Sequence, residues 1–280
     1  MHYILFNPLS KNGKNQKVLN KLQKLLTKKG FESTLVDIIE ANQNVQKYVK
    51  LIHRTDSVVI VGGDGTLHRF ANVLGHIQTN GMEMYLYRGG TGNDFGREFK
   101  GKLIRVTDII KELPRIKYND QEEVFLNCSG FGFDGSVCDL VNVRGDGKKG
   151  LNYAKSVLKL FKTFDRYDLD VEVDGVMHYY KKVWFATCMN GKYFGGGMKL
   201  APDSNRFDED IELYVVHHVP GWKLLLIFPL IFIGKHMWFK KVGISKLVGR
   251  QFKLHASRPL DFQTDGEVRK EISDFACYSR

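Results

Sequence analysis

Two short glycine-rich segments carry residue types suited to holding phosphate. The first, Gly62-Gly63-Asp64-Gly65-Thr66-Leu67-His68, directly follows the apolar run Val58-Val59-Ile60-Val61. The second, Gly89-Gly90-Thr91-Gly92-Asn93-Asp94-Phe95, follows the strand-like residues 84–87. Glycines permit positive φ and let backbone N–H groups approach phosphate oxygens, and a helix starting just beyond adds partial positive charge. A carboxylate among such glycines would repel phosphate unless it engages a cation. Asp64 therefore reads as a direct or water-mediated Mg2+ ligand, with Asp94 as a second candidate. The alternative is a pair of ordinary tight turns, with Asp64 capping a helix; two such segments at successive strand ends favour a cradle of polyphosphate size. Neither has the G-x-x-x-x-G-K-[ST] spacing, and the first strand has no G-x-G-x-x-G, which disfavours P-loop NTPases and Rossmann dehydrogenases.

Such loops work only at the carboxyl edge of a parallel sheet. The sequence supplies strand patterns at 3–6, 33–39, 58–61 and 84–87. Between them it supplies helical patterns from 14 to Gly30 (with Val18, Leu22, Leu25 and Leu26 on one face), over 45–53, and from 66 to about 75. This alternation predicts an N-terminal doubly wound parallel α/β domain over 1–122. Beyond a hydrophilic linker at 114–123, strand-like runs dominate: 124–128, 169–173, 180–189, 211–216 and 251–256. Asp174-Gly175 and Asn190-Gly191 are hairpin signals, and one helix is expected at 151–164. The second domain is thus expected to be β-rich over 123–267, with the tail 268–280 free to return to the first. The active site is expected in the cleft between the domains.

Across 280 residues, 42 Lys+Arg oppose 31 Asp+Glu, a net charge of +11, with 43% hydrophobic residues and 6 Pro. This is a globular composition, neither disordered nor collagenous. The four cysteines are too scattered for a disulfide framework or a zinc site and read as free thiols in a reducing compartment. The start of the chain has no basic leader or cleavage pattern, so no signal peptide is expected. The apolar stretch 222–234 contains Lys223 and Pro229 and is far short of the ~20 residues that span a bilayer. It is either a core element or an interfacial segment. Lys235, Lys240, Lys241, Lys246 and Arg250 follow it, with no acidic residue from Lys223 to Arg258. Attraction to anionic headgroups is worth roughly 1 kcal/mol per basic residue at the surface.

Asn7-Pro8 with Ser10 and Gly13-Lys14, followed by the 62–68 and 89–95 segments, resembles the diacylglycerol kinase catalytic-domain family of lipid kinases. The family includes bacterial soluble members and is related to the sphingosine kinases. The likeness continues through Gly130-Phe131-Gly132-Phe133-Asp134, Asn190-Gly191, Gly195-Gly196-Gly197, Ala201-Pro202 with Asp208, and Asp265-Gly266-Glu267. NAD kinases share the 62–66 element and phosphofructokinases do so more loosely; Gly-Thr-Gly-Asn-Asp-Phe is what points to lipid kinases.

The resemblance implies that ATP is held by Asn7, Ser10, residues Gly62 through His68 and Thr91. Glu267 would lie near the nucleotide. Lys14 is a phosphate contact or one more lysine of a solvated face with Lys17, Lys21, Lys24 and Lys28. Asp265 becomes the catalytic base; by residue pattern alone Asp265-Gly266 is a hairpin turn. A structural Mg2+ is implied at Asn205, Asp208 and Asp210, though Glu209 stands where the family usually has glycine. A nucleotide-contacting Thr common after the second strand is missing from 36–40.

The implied activity is ATP- and Mg2+-dependent transfer to a membrane-lipid hydroxyl, foremost diacylglycerol to phosphatidic acid. It implies a cytoplasmic protein that visits the inner face of the membrane, and in many family members a homodimer. A sphingoid base or another glycerolipid is the alternative acceptor, and NAD kinase the closest rival. A nucleic-acid module is disfavoured because the basic residues are dispersed and no recognition motif is present. The intact segments argue against a dead scaffold.

Overall fold

The computed structural model describes residues 1–8, 16–43, 55–74, 81–90, 92–144, 151–238 and 243–280. The strands of the first unit, Met1–Leu113, are β1 (His2–Phe6), β2 (Ser33–Asp37), β3 (Ser57–Gly62), β4 (Glu83–Arg88) and β5 (Leu103–Arg105). They form one sheet in the order β2-β1-β3-β4-β5, parallel except for the antiparallel edge strand β5. All of β3 is buried, as its unbroken apolar run requires of a central strand covered on both faces. Helix α1 (Gln16–Lys28) buries Leu19 and Leu22 against Ile4, Val59 and Val61. The strand expected to reach 39 stops at Asp37, whose Oδ1 accepts the Ile39 N–H at 2.8 Å and starts helix α2 (Ile38–Gln43). An aspartate competing for its own downstream backbone is a helix-start signal that outweighs the β-branched residues after it. The helix expected over 45–53 lies outside the described residues. Helices α3 (Asp64–Leu74) and α4 (Thr107–Lys111) complete the unit.

The second unit is Pro114–Arg280 and so begins ahead of the expected start at 123. The supposed linker is a hairpin of β6 (Arg115–Tyr118) and β7 (Gln121–Val124), turned by Asn119 and Asp120 at φ 43 and 61. Its polarity belongs to one face only. Ile116 and Tyr118 are buried, while Arg115 and Lys117 pair with Glu122 at 3.0 Å on the outside. The chain continues as β8 (Cys128–Gly132), α5 (Phe133–Arg144), α6 (Leu151–Thr163), β9 (Tyr167–Val173) and β10 (Val176–Met189). It ends with β11 (Ile211–His217), α7 (Gly221–Ile231), β12 (Ile244–Gly249), β13 (Gln251–Thr264) and β14 (Glu267–Tyr278).

Nine strands pair antiparallel in the order β12-β11-β10-β8-β13-β14-β6-β7, with β9 against β10 and β13. The long strands β10 and β13 each spend one half on β9 and the other on β8, shifting register in between. The four strands thereby enclose a core that includes Phe131, Val171, Phe252 and Phe262. The tail 268–280 belongs to the second unit, where it pairs with residues 115–117 of the hairpin that falls inside the expected first domain. It is mostly β14, whose buried Ile272, Phe275 and Cys277 bind it to β13 and β6. Asp174-Gly175 turns the β9–β10 hairpin as expected, whereas Asn190-Gly191 begins an irregular excursion. Among the described residues no helix is long and apolar enough to cross a membrane.

Candidate active site

In the first unit the two glycine segments leave parallel neighbours, with Gly62 opposite Arg88 in the β3–β4 register, so they emerge side by side. They are joined backbone to backbone. Gly62 O accepts the N–H of Gly89 (3.0 Å) and of Gly90 (2.9 Å), and the Asp64 N–H donates to Gly92 O at 3.2 Å. None of Gly62, Gly63, Gly65, Gly89, Gly90 or Gly92 has positive φ, which corrects the expectation that glycine is needed here for left-handed backbone. The need is closeness: a Cβ on Gly63 would stand 2.1 Å from Gly92 O, and one on Gly90 would stand 2.4 Å from Gly63 Cα.

The Asp64 carboxylate fastens the assembly. Its Oδ2 accepts the Asp94 N–H at 2.8 Å and its Oδ1 the Phe95 N–H at 3.0 Å. Phe95 begins a short 3-10 helix, Phe95–Glu98, and is itself fully buried. The Asn93 side-chain amide donates to Gly90 O at 2.9 Å, and Asp94 Oδ1 lies 3.4 Å from Arg97 Nε. Leu67 and His68 are buried; the His68 ring meets the Asn72 amide at 3.1 Å. Only their backbone could serve a nucleotide. Asn7 is half-buried just past β1, and Ser10, Lys14 and Thr91 lie outside the described residues.

Gly65 differs from its neighbours, since a Cβ there meets no atom within 4 Å. Gly65→Ala should therefore leave the melting temperature unchanged or slightly raised, as alanine favours helix. It should nonetheless weaken ATP binding by crowding the approach of phosphate to the backbone. Gly63→Ala should instead unfold the loop pair. Calorimetric melting together with ATP titration separates the two effects.

In the second unit, Asp265 and Gly266 form the turn between β13 and β14 at φ 49 and 91, with Thr264 paired to Glu267. Both central residues are left-handed, as in a type I′ turn. The turn reading and a functional reading of Asp265 turn out to be compatible. Its side chain reaches the segment between β7 and β8, accepting N–H groups from Leu126 (2.6 Å), Asn127 (2.8 Å) and Cys128 (3.2 Å). Its own N–H donates to Cys128 O at 3.0 Å. The strand expected over 124–128 is thus interrupted at 125–127, where the backbone turns its donors to a carboxylate. Glu267, half-buried, opens β14.

Asp134, from the Gly-Phe-Gly-Phe-Asp segment, sits at the start of α5. It accepts from Thr187 Oγ1 (2.8 Å) and Gln263 Nε2 (3.2 Å), and burial raises its pKa above the ordinary carboxylate value. Gln263 also donates to Cys128 Sγ at 3.4 Å, and burial raises that thiol well above its usual range. This cluster is a core joint.

The two expected metal sites fare differently. Asp64 and Asp94 are adjacent, and each carboxylate oxygen can accept more than one contact. Among the described residues no three His, Cys, Asp or Glu side chains are grouped to hold an ion. Mg2+ suits such a pair nonetheless, since it takes one or two carboxylates and completes its octahedron with water and substrate phosphates. Asn205, Asp208 and Asp210 are turned to partners within the protein. The Asn205 amide donates to Asp208 Oδ1 at 2.7 Å, and Asp210 and Glu209 face Arg250 at 3.6 and 2.6 Å. Arg250 thus brings positive charge beside Glu209 and Asp210.

Sequence reasoning missed Arg206, which is 2% exposed. Its Nη1 donates to Leu126 O at 3.0 Å and its Nη2 to Asn127 Oδ1 at 3.2 Å. Asn190 Nδ2 donates to the same Leu126 carbonyl at 2.9 Å. Nothing local marks Arg206, because its partners lie some eighty positions away.

Paired glycine loops at the edge of a parallel sheet mark the first unit, and an anchored Asp-Gly-Glu turn marks the second. The diacylglycerol kinase catalytic domain model matches residues 2–124, and the YegS C-terminal NAD kinase beta sandwich-like domain model matches 128–276, more than half of the chain. The chain belongs to the diacylglycerol kinase-like family of lipid kinases. It is 26% identical over 288 residues to the diacylglycerol kinase of Mycobacterium tuberculosis (strain ATCC 25618 / H37Rv), covering 98% of this chain and 88% of that one. It is 24% identical to YtlR of Bacillus subtilis (strain 168), named as a candidate lipid kinase, covering 95% of this chain and 93% of that one. A crystal structure titled as a diacylglycerol kinase from Bacillus anthracis str. Sterne shares the fold at TM-score 0.68 and 19% identity, covering 99% of this chain and 94% of that chain.

Proposed function

We propose that the protein transfers the γ-phosphoryl group of ATP to the hydroxyl of a membrane lipid, diacylglycerol first among them, giving phosphatidic acid. The observation that carries this reading is the carboxylate of Asp265, held by three backbone N–H groups at the tip of a rigid hairpin. In the proposed step Asp265 takes the proton of the acceptor hydroxyl. The oxygen–phosphorus bond forms as the bond from the γ-phosphorus to the bridging oxygen breaks, and ADP leaves with that electron pair. The loops around Gly62 and Gly90 position the nucleotide. Asp64 and Asp94 would hold Mg2+, which when bound offsets phosphate charge.

The lipid preference is supported by α7. Its Leu224, Ile227 and Ile231 are buried among Trp184, Tyr214 and Val216. Its other face and the turn beyond expose Trp222 (62%), Leu226 (69%), Ile233 (59%) and Trp238 (73%), with Leu225, Phe228 and Phe232 also exposed. Lys223 lies over the Trp222 ring at 5.4 Å and Lys235 over Trp238 at 4.7 Å. The stretch 222–234 is therefore core on one side and uncovered on the other. Exposed Trp and Leu bordered by lysines suit the interface of an anionic bilayer. Leu226→Glu with Ile233→Glu should leave melting unchanged. Since burying one such side chain is worth about 1.5–3 kcal/mol, the pair should weaken binding to phosphatidylglycerol vesicles at least about tenfold. Equal sedimentation with vesicles for variant and parent would remove α7 from the proposal.

The function itself is tested by incubating the protein with ATP, Mg2+ and diacylglycerol in such vesicles and separating the lipids. Phosphatidic acid is the expected product; its absence, with ADP also unformed, counts against the reading.

A further inference from the structure

Two arginines distant in sequence, Arg250 and Arg280, hold part of the segment 203–210 where a structural cation was expected, while Asn205 and Asp208 pair with each other. Arg250 pairs with Glu209 at 2.6 Å and Asp210 at 3.6 Å. Arg280 donates to the Arg206 carbonyl, and to the Phe207 carbonyl at 3.4 Å. Backbone carbonyls and carboxylates are the ligands a divalent cation would use; here Glu209, Asp210 and the carbonyls of Arg206 and Phe207 face guanidinium groups, and Asp208 accepts from the Asn205 amide. The third arginine points inward. Buried Arg206 spreads its planar fork over Leu126 O and Asn127 Oδ1, a two-point grip that a lysine ammonium cannot reproduce. The same two residues donate their N–H groups to Asp265. Leu126 and Asn127 are thus clamped between a buried cation on one side and the Asp265 carboxylate on the other. A guanidinium taken out of water is costly unless its donors are met, so its position, and that of the peptides it grips, is strongly specified.

We propose that Arg206 is a positioning residue for Asp265, and that Arg206, Arg250 and Arg280 fix the 203–210 segment without a divalent cation. The first half rests on the reading of Asp265 as the group that acts on the acceptor hydroxyl. The second half does not.

Two measurements on the full chain test it. In thermal melts without nucleotide, replacing EDTA by Mg2+ or Ca2+ should move the midpoint by less than about 1 °C, because the 203–210 segment gains nothing from the ion and the Asp64–Asp94 pair lacks the substrate phosphates that complete its Mg2+ shell. A rise of several degrees that disappears in Asp208→Asn would overturn the cation-free clamp. In kinetics, Arg206→Lys and Arg206→Met should lower kcat roughly ten- to a hundredfold while the KM for ATP stays within about twofold, as expected when an acting group is displaced by a fraction of an ångström. The acid limb of the pH–rate profile should also move to higher pH as the N–H donors drift from the carboxylate. A folded Arg206 variant with parental kcat and pH profile would refute the positioning role. Should Arg206→Met fail to fold, Arg206→Lys carries the kinetic test and the parental melts carry the cation test. If the parental protein phosphorylates no lipid, the kinase reading fails, while the melts still decide whether the clamp needs an ion.

Discussion

Asparagine in place of Asp265 is expected to lower kcat by roughly 10²- to 10⁴-fold, the usual contribution of a positioned general base, with ATP affinity unchanged. Asparagine tolerates the left-handed φ of 49 that the turn imposes, so the hairpin should persist. The exchange is not silent structurally. Both carboxylate oxygens accept backbone N–H groups from 126–128, and an amide can accept at only one end. Its NH2 must face a donor, at a cost of about 1–3 kcal/mol. The variant should therefore melt lower but cooperatively, and kinetics belong well below its midpoint. Loss of turnover with intact calorimetric ATP binding supports the assignment, whereas turnover within a few-fold of the parent would place the base elsewhere.

The second large effect is expected at Asp64. Alanine there removes the acceptor for Asp94 N–H and Phe95 N–H together. Two donors then lose their partner, each at about 1–3 kcal/mol, and the loop that carries Asp94 keeps only its backbone bonds to the start of α3 and the strand before it. ATP binding should fall at least about a hundredfold, and the melting midpoint should drop by several degrees. Asp64→Asn should lie between alanine and the parent in melting, because one acceptor survives, yet should bind ATP–Mg2+ as poorly as alanine does. If both variants bound ATP–Mg2+ as the parent does, Asp64 would be a fastening alone.

What could be read in advance follows the range of the interactions. The apolar run 58–61 announces a buried parallel strand, and glycines after it announce a loop at the sheet edge; both signals sit within a few residues. The role of Asp64 as a fastening could not be read, since its acceptors serve donors thirty residues on. The strand pattern read at 251–256 stops short of Pro259, a residue that cannot donate to a ladder. In fact the strand shifts register between His255 and Leu260 and continues to Thr264, delivering Asp265. The tail 268–280 carries no strand reading in the sequence; β14 emerges there because Ile272, Phe275 and Cys277 are buried against strands far away in the chain. The expected metal site was carried over from a pattern that Glu209 already broke. Arg250 and Arg280, distant in sequence, pair with that segment.

The most direct test of the central claim is transfer of label from [γ-32P]ATP to a panel of acceptors, diacylglycerol, sphingosine, ceramide and NAD+, presented with anionic vesicles to the parent and to Asp265→Asn. The account predicts label in a lipid, most strongly in phosphatidic acid, from the parent alone. Label in NAD+, or equal lipid labelling by both proteins, would contradict it.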